Sequence, residues 1–172
     1  MKWEENVRKV VPYVPGEQPK MQNLIKLNTN EFPYPPAPAV QKAIAEFDYD
    51  KLRLYSDPCI TDLTAAVAGL YGLKPENAFV GVGSDDVLAM AFLTFFNSDK
   101  KILFPDITYS FYDVWADLYR IPYEMQPLME DFFIRKEDYF KENGGVILAN
   151  PNAPTGVEAD LCVIEEVIQK NP

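Results

Sequence analysis

Three short stretches carry residue types able to hold a ligand. The first is Val80-Gly81-Val82-Gly83-Ser84-Asp85-Asp86, which reads as a buried strand turning sharply into a helix. Gly81 and Gly83 let the backbone turn and lie close to a ligand. Ser84 is the expected N-cap, with Asp85 and Asp86 in the first turn. A helix N-terminus entered from such a turn presents unpaired N–H groups and the positive dipole end, which suits a phosphate. The second stretch is Pro105-Asp106-Ile107-Thr108-Tyr109-Ser110-Phe111-Tyr112. Its Tyr109 offers a flat face to a planar ring. The third is Asn150-Pro151-Asn152-Ala153-Pro154-Thr155-Gly156, in which Asn152 offers an amide to a ring oxygen.

Each stretch also has a bland reading. The first is an ordinary strand–helix turn, Tyr109 packs a helix start, and Asn152 makes an Asx turn. Taken jointly, a phosphate, an aromatic ring and a polar ring substituent describe pyridoxal phosphate. They equally describe a nucleotide, and spacing alone does not separate the two. The dinucleotide fingerprint lacks its third glycine, because Asp86 stands there, and no Gly-Lys-Ser/Thr loop occurs.

The elements that must position these loops follow from periodicity. Residues 1–38 hold Pro12, Pro15, Pro19, Pro33, Pro35, Pro36 and Pro38, which forbid a long helix, so they form an extended N-terminal arm. A short amphipathic helix over 37–47 follows, with Val40, Ile44 and Phe47 on one face. Thr61 or Ser56 caps the next helix, whose apolar face is Leu63, Val67, Leu70 and Tyr71, and Gly72 ends it. From 78 on the pattern alternates. Strand 78–82 feeds helix 84–97, strand 102–104 feeds helix 109–119 capped by Thr108, and a strand covers 122–126. After a short helical or irregular stretch over 131–141, a strand at 145–149 and a helix from Asp160 to about Lys170 close the chain. Such alternation means a mostly parallel sheet covered on both faces, with all three loops at the carboxyl ends of strands. The expected organisation is therefore an arm over 1–38 and an incomplete α/β domain over 39–172. A helix on such a sheet is normally followed by another strand, so the pattern ends unfinished.

Composition narrows the chemistry. The 172 residues carry a net charge of -10, which argues against nucleic acid or an anionic membrane as the main partner. There is no histidine, so Ser-His-Asp and Cys-His catalysis and every His-ligated metal site are excluded within the chain, and no metal is expected. Cys59 and Cys162 read as small core residues of a reduced protein, with a disulfide between them left open. No apolar leader follows the charged start, and the run 87–96 is too short to span a bilayer, which points to the cytoplasm.

The same stretches, in order, carry a resemblance. Leu27-Asn28-Thr29-Asn30-Glu31-Phe32-Pro33-Tyr34-Pro35-Pro36 resembles the amino-terminal signature of histidinol-phosphate aminotransferases. Tyr13-Val14-Pro15-Gly16, Gly83-Ser84-Asp85-Asp86, the Tyr109-Ser110-Phe111-Tyr112 element and Asn150–Gly156 follow that family's pattern. The resemblance implies the large domain of a fold-type-I pyridoxal-phosphate transferase, a three-layer α/β architecture. It implies transamination between histidinol phosphate and 2-oxoglutarate in histidine biosynthesis, by a homodimer with shared sites. By position, Gly83, Ser84 and Asp85 would bind the cofactor phosphate, Tyr109 would stack on its ring, and Asn152 would reach the ring oxygen. Tyr55 would reach the phosphate of the partner subunit's cofactor, while Asn30 and Tyr13 would lie near the substrate.

Two departures stand within the motifs. Phe32 replaces the usual Asn, and Ala153 replaces the Asn that normally bonds the ring hydroxyl. The Asp-x-Ala-Tyr strand end, the Ser-Lys element that forms the Schiff base and the downstream phosphate-gripping Arg do not occur. Without that lysine the chain has no catalytic residue of its own and is expected to be inactive alone. The resemblance thus covers an amino-terminal portion. A related threonine-phosphate decarboxylase type, or a truncated non-catalytic fragment, remains the alternative.

Overall fold

The computed structural model describes residues 2–12, 16, 17, 19–21 and 23–171. Two compact units divide the chain, one of residues 1–13 with 81–172 and one of 14–80.

The larger unit is built around one strand. Ile102–Pro105 (β1) is a continuous apolar run bounded by Lys101 and the irregular loop after Pro105, and every residue of it is buried. It pairs in parallel with Tyr123–Gln126 (β2), Ile102 opposite Tyr123 and Pro105 opposite Gln126. On its other side a parallel bridge joins Leu103 to Val146, flanked by Leu103 N–H to Gly145 O and Ile147 N–H to Leu103 O, both 2.9 Å. Side chains alternate across a strand, so β1 feeds two cores. Ile102 and Phe104 pack with Phe92, Tyr112, Ala116 and Ile121. These come from the helices Gly83–Phe95 (α3) and Tyr112–Tyr119 (α4) and the turn after α4. Leu103 packs oppositely with Tyr139 and Val167, from a 3-10 turn at Lys136–Tyr139 and the helix Leu161–Lys170, numbered α5 below. Helix, parallel sheet and helix therefore form three layers, as the alternation predicts.

Several expectations are corrected in detail. Residues 78–82 form no strand, because Ala78 N–H closes a turn onto Pro75 O and Val82 N–H goes to the Asp86 carboxylate. The strand expected at 145–149 is reduced to the single bridge. Ser84 is not the N-cap. Helix α3 starts at Gly83, with Val82 before it. Helix α4 starts three residues later than expected, at Tyr112, and Thr108 does not cap it.

The smaller unit holds the helices Pro38–Ala45 (α1) and Thr61–Leu70 (α2). Neither Ser56 nor Thr61 caps α2. Asp57 does so in effect, its carboxylate accepting from Cys59 N–H at 2.9 Å and Thr61 N–H at 2.8 Å. Hydrogen bonding to the Thr61 side chain first, then to the Thr61 and Cys59 N–H groups, holds the Asp57 carboxyl below its ordinary range. Gly72 ends α2 as expected. Its φ of +66° allows Leu73 N–H to reach Ala68 O and its own N–H to reach Gly69 O, the paired bonds of a Schellman motif. Only Ala68 of α2 is buried within the unit, and Leu63, Val67 and Leu70 stay exposed. Cys59 and Cys162 are both free and exposed, so neither is the core residue expected. No helix among the described residues is long and apolar enough to cross a membrane.

Candidate functional site

In the larger unit the three loops do converge. Gly81 and Gly83 make the turn into α3 for different reasons. A Cβ on Gly81 would stand 2.7 Å from Asp86 Oδ2 and 2.9 Å from Val87 Cγ2, so the close approach requires glycine. Gly83 has room around it but adopts a φ of +84°, which L side chains disfavour. Asp86 reaches back one turn and accepts from Val82 N–H at 3.0 Å. Gly83 N–H goes to Gly81 O at 3.0 Å. Among the described residues no side chain caps the first turn of α3 from its N-cap position, and Gly83 and Ser84 are exposed at its start.

Tyr109 meets this helix start directly. Its hydroxyl donates to Asp85 Oδ1 at 2.8 Å. Its ring stacks on Phe111, 5.7 Å between centroids at 27°, and meets the buried Tyr112 edge-on at 5.8 Å. The stack continues through Trp115 to Tyr119 along α4. Residues 109–111 are thus held as a loop by ring contacts and one charge-assisted bond, which is why the helix waits until Tyr112.

Asn152 joins the third loop to the second. It is 8% exposed. Its Oδ1 accepts from Thr108 Oγ1 at 2.8 Å, and its Nδ2 donates to Ile107 O at 2.9 Å and Thr155 Oγ1 at 3.1 Å. Both amide hydrogens are therefore committed to the protein. In this arrangement the side chain closes the turn onto the loop after β1. The turn itself is set by Gly156 N–H to Asn152 O at 2.7 Å and Asn152 N–H to Val157 O at 2.8 Å. Asn150 and Ala159 exchange two further bonds at its base.

Tyr55 and Asn30 belong to the smaller unit, both exposed, and Asn30 has a φ of +52°. Tyr13 lies outside the described residues. Sequence reasoning missed Thr108, Thr155 and Asp86 as the groups that fix the loops, and Phe111 as the ring beneath Tyr109. A signal existed for Asp86 alone, an acid one turn into a helix that has no Ser or Thr before its first residue.

The arrangement is an exposed helix start beside an anchored aromatic ring at the carboxyl edge of a parallel sheet, and the fold is that of the fold-type-I aminotransferases. The histidinol-phosphate aminotransferase of Sinorhizobium meliloti, solved in complex with pyridoxal-5'-phosphate, superposes with a TM-score of 0.70 at 24% identity. That match covers 80% of this chain and 38% of that one. The chain belongs to the family described as aminotransferase class I and II, whose model matches residues 22–172. Among curated relatives, the histidinol-phosphate aminotransferase of Lactococcus lactis subsp. cremoris is 51% identical over 99% of this chain. The histidinol-phosphate aminotransferase 1 of Hydrogenovibrio crunogenus is 54% identical over 98% of it. The chain spans 48% of the length of each of these relatives.

Proposed function

We propose that the chain carries the phosphate- and ring-binding part of a pyridoxal-phosphate-dependent aminotransferase that acts on histidinol phosphate with 2-oxoglutarate in histidine biosynthesis. The observation that carries this reading is the Tyr109–Asp85 contact, which sets an aromatic ring against the start of a 13-residue helix. The residues fit that cofactor. The N–H groups of Ser84 and Asp85 lie in the first helical turn, where no intrahelical partner exists for them, and the dipole adds positive potential. The two acids at this helix start have structural partners, Asp85 accepting from the Tyr109 hydroxyl and Asp86 from Val82 N–H.

When bound, the cofactor supplies an electron sink for the bonds at the substrate's amino-bearing carbon. Ser84 and Asp85 would hold its phosphate through their N–H groups, Gly83 would let it approach the turn closely, and Tyr109 would lie against its ring. Asn152 ties the two loops together beside the ring, whose oxygen it would reach by the family resemblance. In the homodimer, Tyr55 reaches the partner's phosphate, and Asn30 and Tyr13 line the substrate, a phosphorylated amine. The arm at 1–38 precedes a cofactor domain at 39–172, and the protein works in the cytoplasm. No lysine of the 172 residues matches the Schiff-base context, so this chain alone turns nothing over.

The test is equilibrium dialysis of the chain against pyridoxal phosphate, ATP and NAD in parallel. Retention of pyridoxal phosphate, displaced by inorganic phosphate, is expected. Preferential retention of either nucleotide overturns the reading, as does transaminase turnover by the chain alone for its catalytic part.

A further inference from the structure

We infer that Thr108 and Asn152 act together as a positioning latch that couples the turn at 150–156 to the loop bearing Tyr109. The inference deepens the cofactor reading above and rests on it for its ligand.

The two residues stand 44 positions apart, yet Thr108 Oγ1 donates to Asn152 Oδ1 at 2.8 Å. Asn152 is the hub. Its carboxamide accepts once and donates twice, tying Thr108, the Ile107 carbonyl and Thr155 to one buried group. Its backbone N–H and carbonyl both pair within its own turn, at Val157 and Gly156. A buried amide satisfied by three partners on two loops holds them in one arrangement, and losing one partner leaves a desolvated polar atom behind. Thr108 immediately precedes Tyr109, whose hydroxyl is fixed at the far end by Asp85. The ring is thus held from two sides, through the α3 start by its hydroxyl and through the Asn152 turn by its backbone. Neither Thr108 nor Asn152 needs to touch a ligand for this. Each is a positioning residue.

The test compares Thr108→Val, which keeps the shape and removes the hydroxyl, with Thr108→Ser, which keeps the hydroxyl. Asn152→Ala and the Thr108→Val/Asn152→Ala pair complete a cycle in the 172-residue chain. One readout is amide hydrogen exchange at Gly156 and Asn152, on the loop that does not carry Thr108. The other is the dissociation constant for pyridoxal phosphate. Thr108→Val is expected to speed exchange at both amides and to weaken binding about tenfold, roughly 1.4 kcal/mol. Thr108→Ser should behave as the parent, and the double variant should lose less than the two single losses added. Unchanged exchange in Thr108→Val, a Thr108→Ser variant as impaired as Thr108→Val, or strict additivity overturns the latch. Failure of the parent chain to bind pyridoxal phosphate overturns the cofactor reading, and the exchange readout still decides the latch by itself.

Discussion

Replacing Gly83 by alanine isolates the backbone geometry at the start of α3. The residue has a φ of +84° and nothing within 4 Å of the position its Cβ would take. Collision is thereby excluded, and only conformational energy remains. A left-handed conformation costs an alanine about 1–2 kcal/mol. The smaller unfolded-state entropy of alanine, about 0.4–1 kcal/mol, acts in the opposite sense. The net loss should be about 1 kcal/mol, read as a lower urea midpoint with an unchanged slope. Asparagine tolerates the left-handed region, so Gly83→Asn should lose clearly less. The alternative relief, rotation of φ to negative values, would re-aim the Ser84 and Asp85 N–H groups, and pyridoxal phosphate affinity would then fall along with stability. An unchanged midpoint for Gly83→Ala, or an equal loss for Gly83→Asn, would refute the conformational argument.

Gly81→Ala should destabilise by a different route. Its Cβ meets the Asp86 carboxylate that holds Val82 N–H, so the loss should shrink in an Asp86→Ala background, measured by the same unfolding cycle. Tyr139→Phe should be neutral or stabilising, because the Tyr139 hydroxyl is buried without a partner among the described residues and burial pushes its pKa up. Thermal midpoints would show it, and a marked loss would mean that the hydroxyl is bonded. Glu124 is held down to about 2 from the usual 4.5 by hydrogen bonds from Lys141 first, then Gln126 and Lys101. A carboxyl with a depressed folded-state pKa stabilises above its unfolded value and loses that contribution as pH falls. The parent should therefore lose stability between about pH 4.5 and pH 2 more steeply than Glu124→Gln, with the difference reduced by salt.

What the sequence discloses of this fold is what local pattern can encode. The run Ile102-Leu103-Phe104 announces a buried strand because three consecutive apolar residues suit a strand covered on both faces, and both faces are indeed covered. The segment 78–82 has the same look but pairs with nothing as a strand. Strand pairing is a non-local property, and β-branched residues mark only suitability for it. Helix boundaries shift for a related reason. Tyr109 has the spacing of a helical residue, but its hydroxyl bond to Asp85, 24 positions away, keeps it in the loop. Cys162 looks like core by residue type, yet on α5 it is exposed, whereas Val167 of the same helix packs against Leu103.

The candidate site separates in the same way. That the second and third loops share one sheet edge follows from alternation, while the first loop meets the second through Tyr109 and Asp85 although 78–82 forms no strand. Which atom each side chain meets does not follow. Asn152 is the sharpest case, because its residue type admits a ligand contact and a loop contact equally. The three-dimensional count, two donated hydrogens and one accepted, shows the loop contacts, which residue type alone does not disclose. The proposed phosphate site has to work in a chain of net charge -10. The acids Asp85 and Asp86 sit where the helix dipole favours them. Asp85 accepts from the Tyr109 hydroxyl of the second loop, and Asp86 from the Val82 N–H of its own loop. The carboxylates thereby build the turn, while the N–H groups of the first helical turn supply the positive end. Removing Asp85 relieves one negative charge but also removes the anchor of Tyr109, and the second effect should outweigh the first. It should weaken binding by releasing Tyr109, and tighter retention of pyridoxal phosphate by Asp85→Asn would show the electrostatic assignment to be wrong.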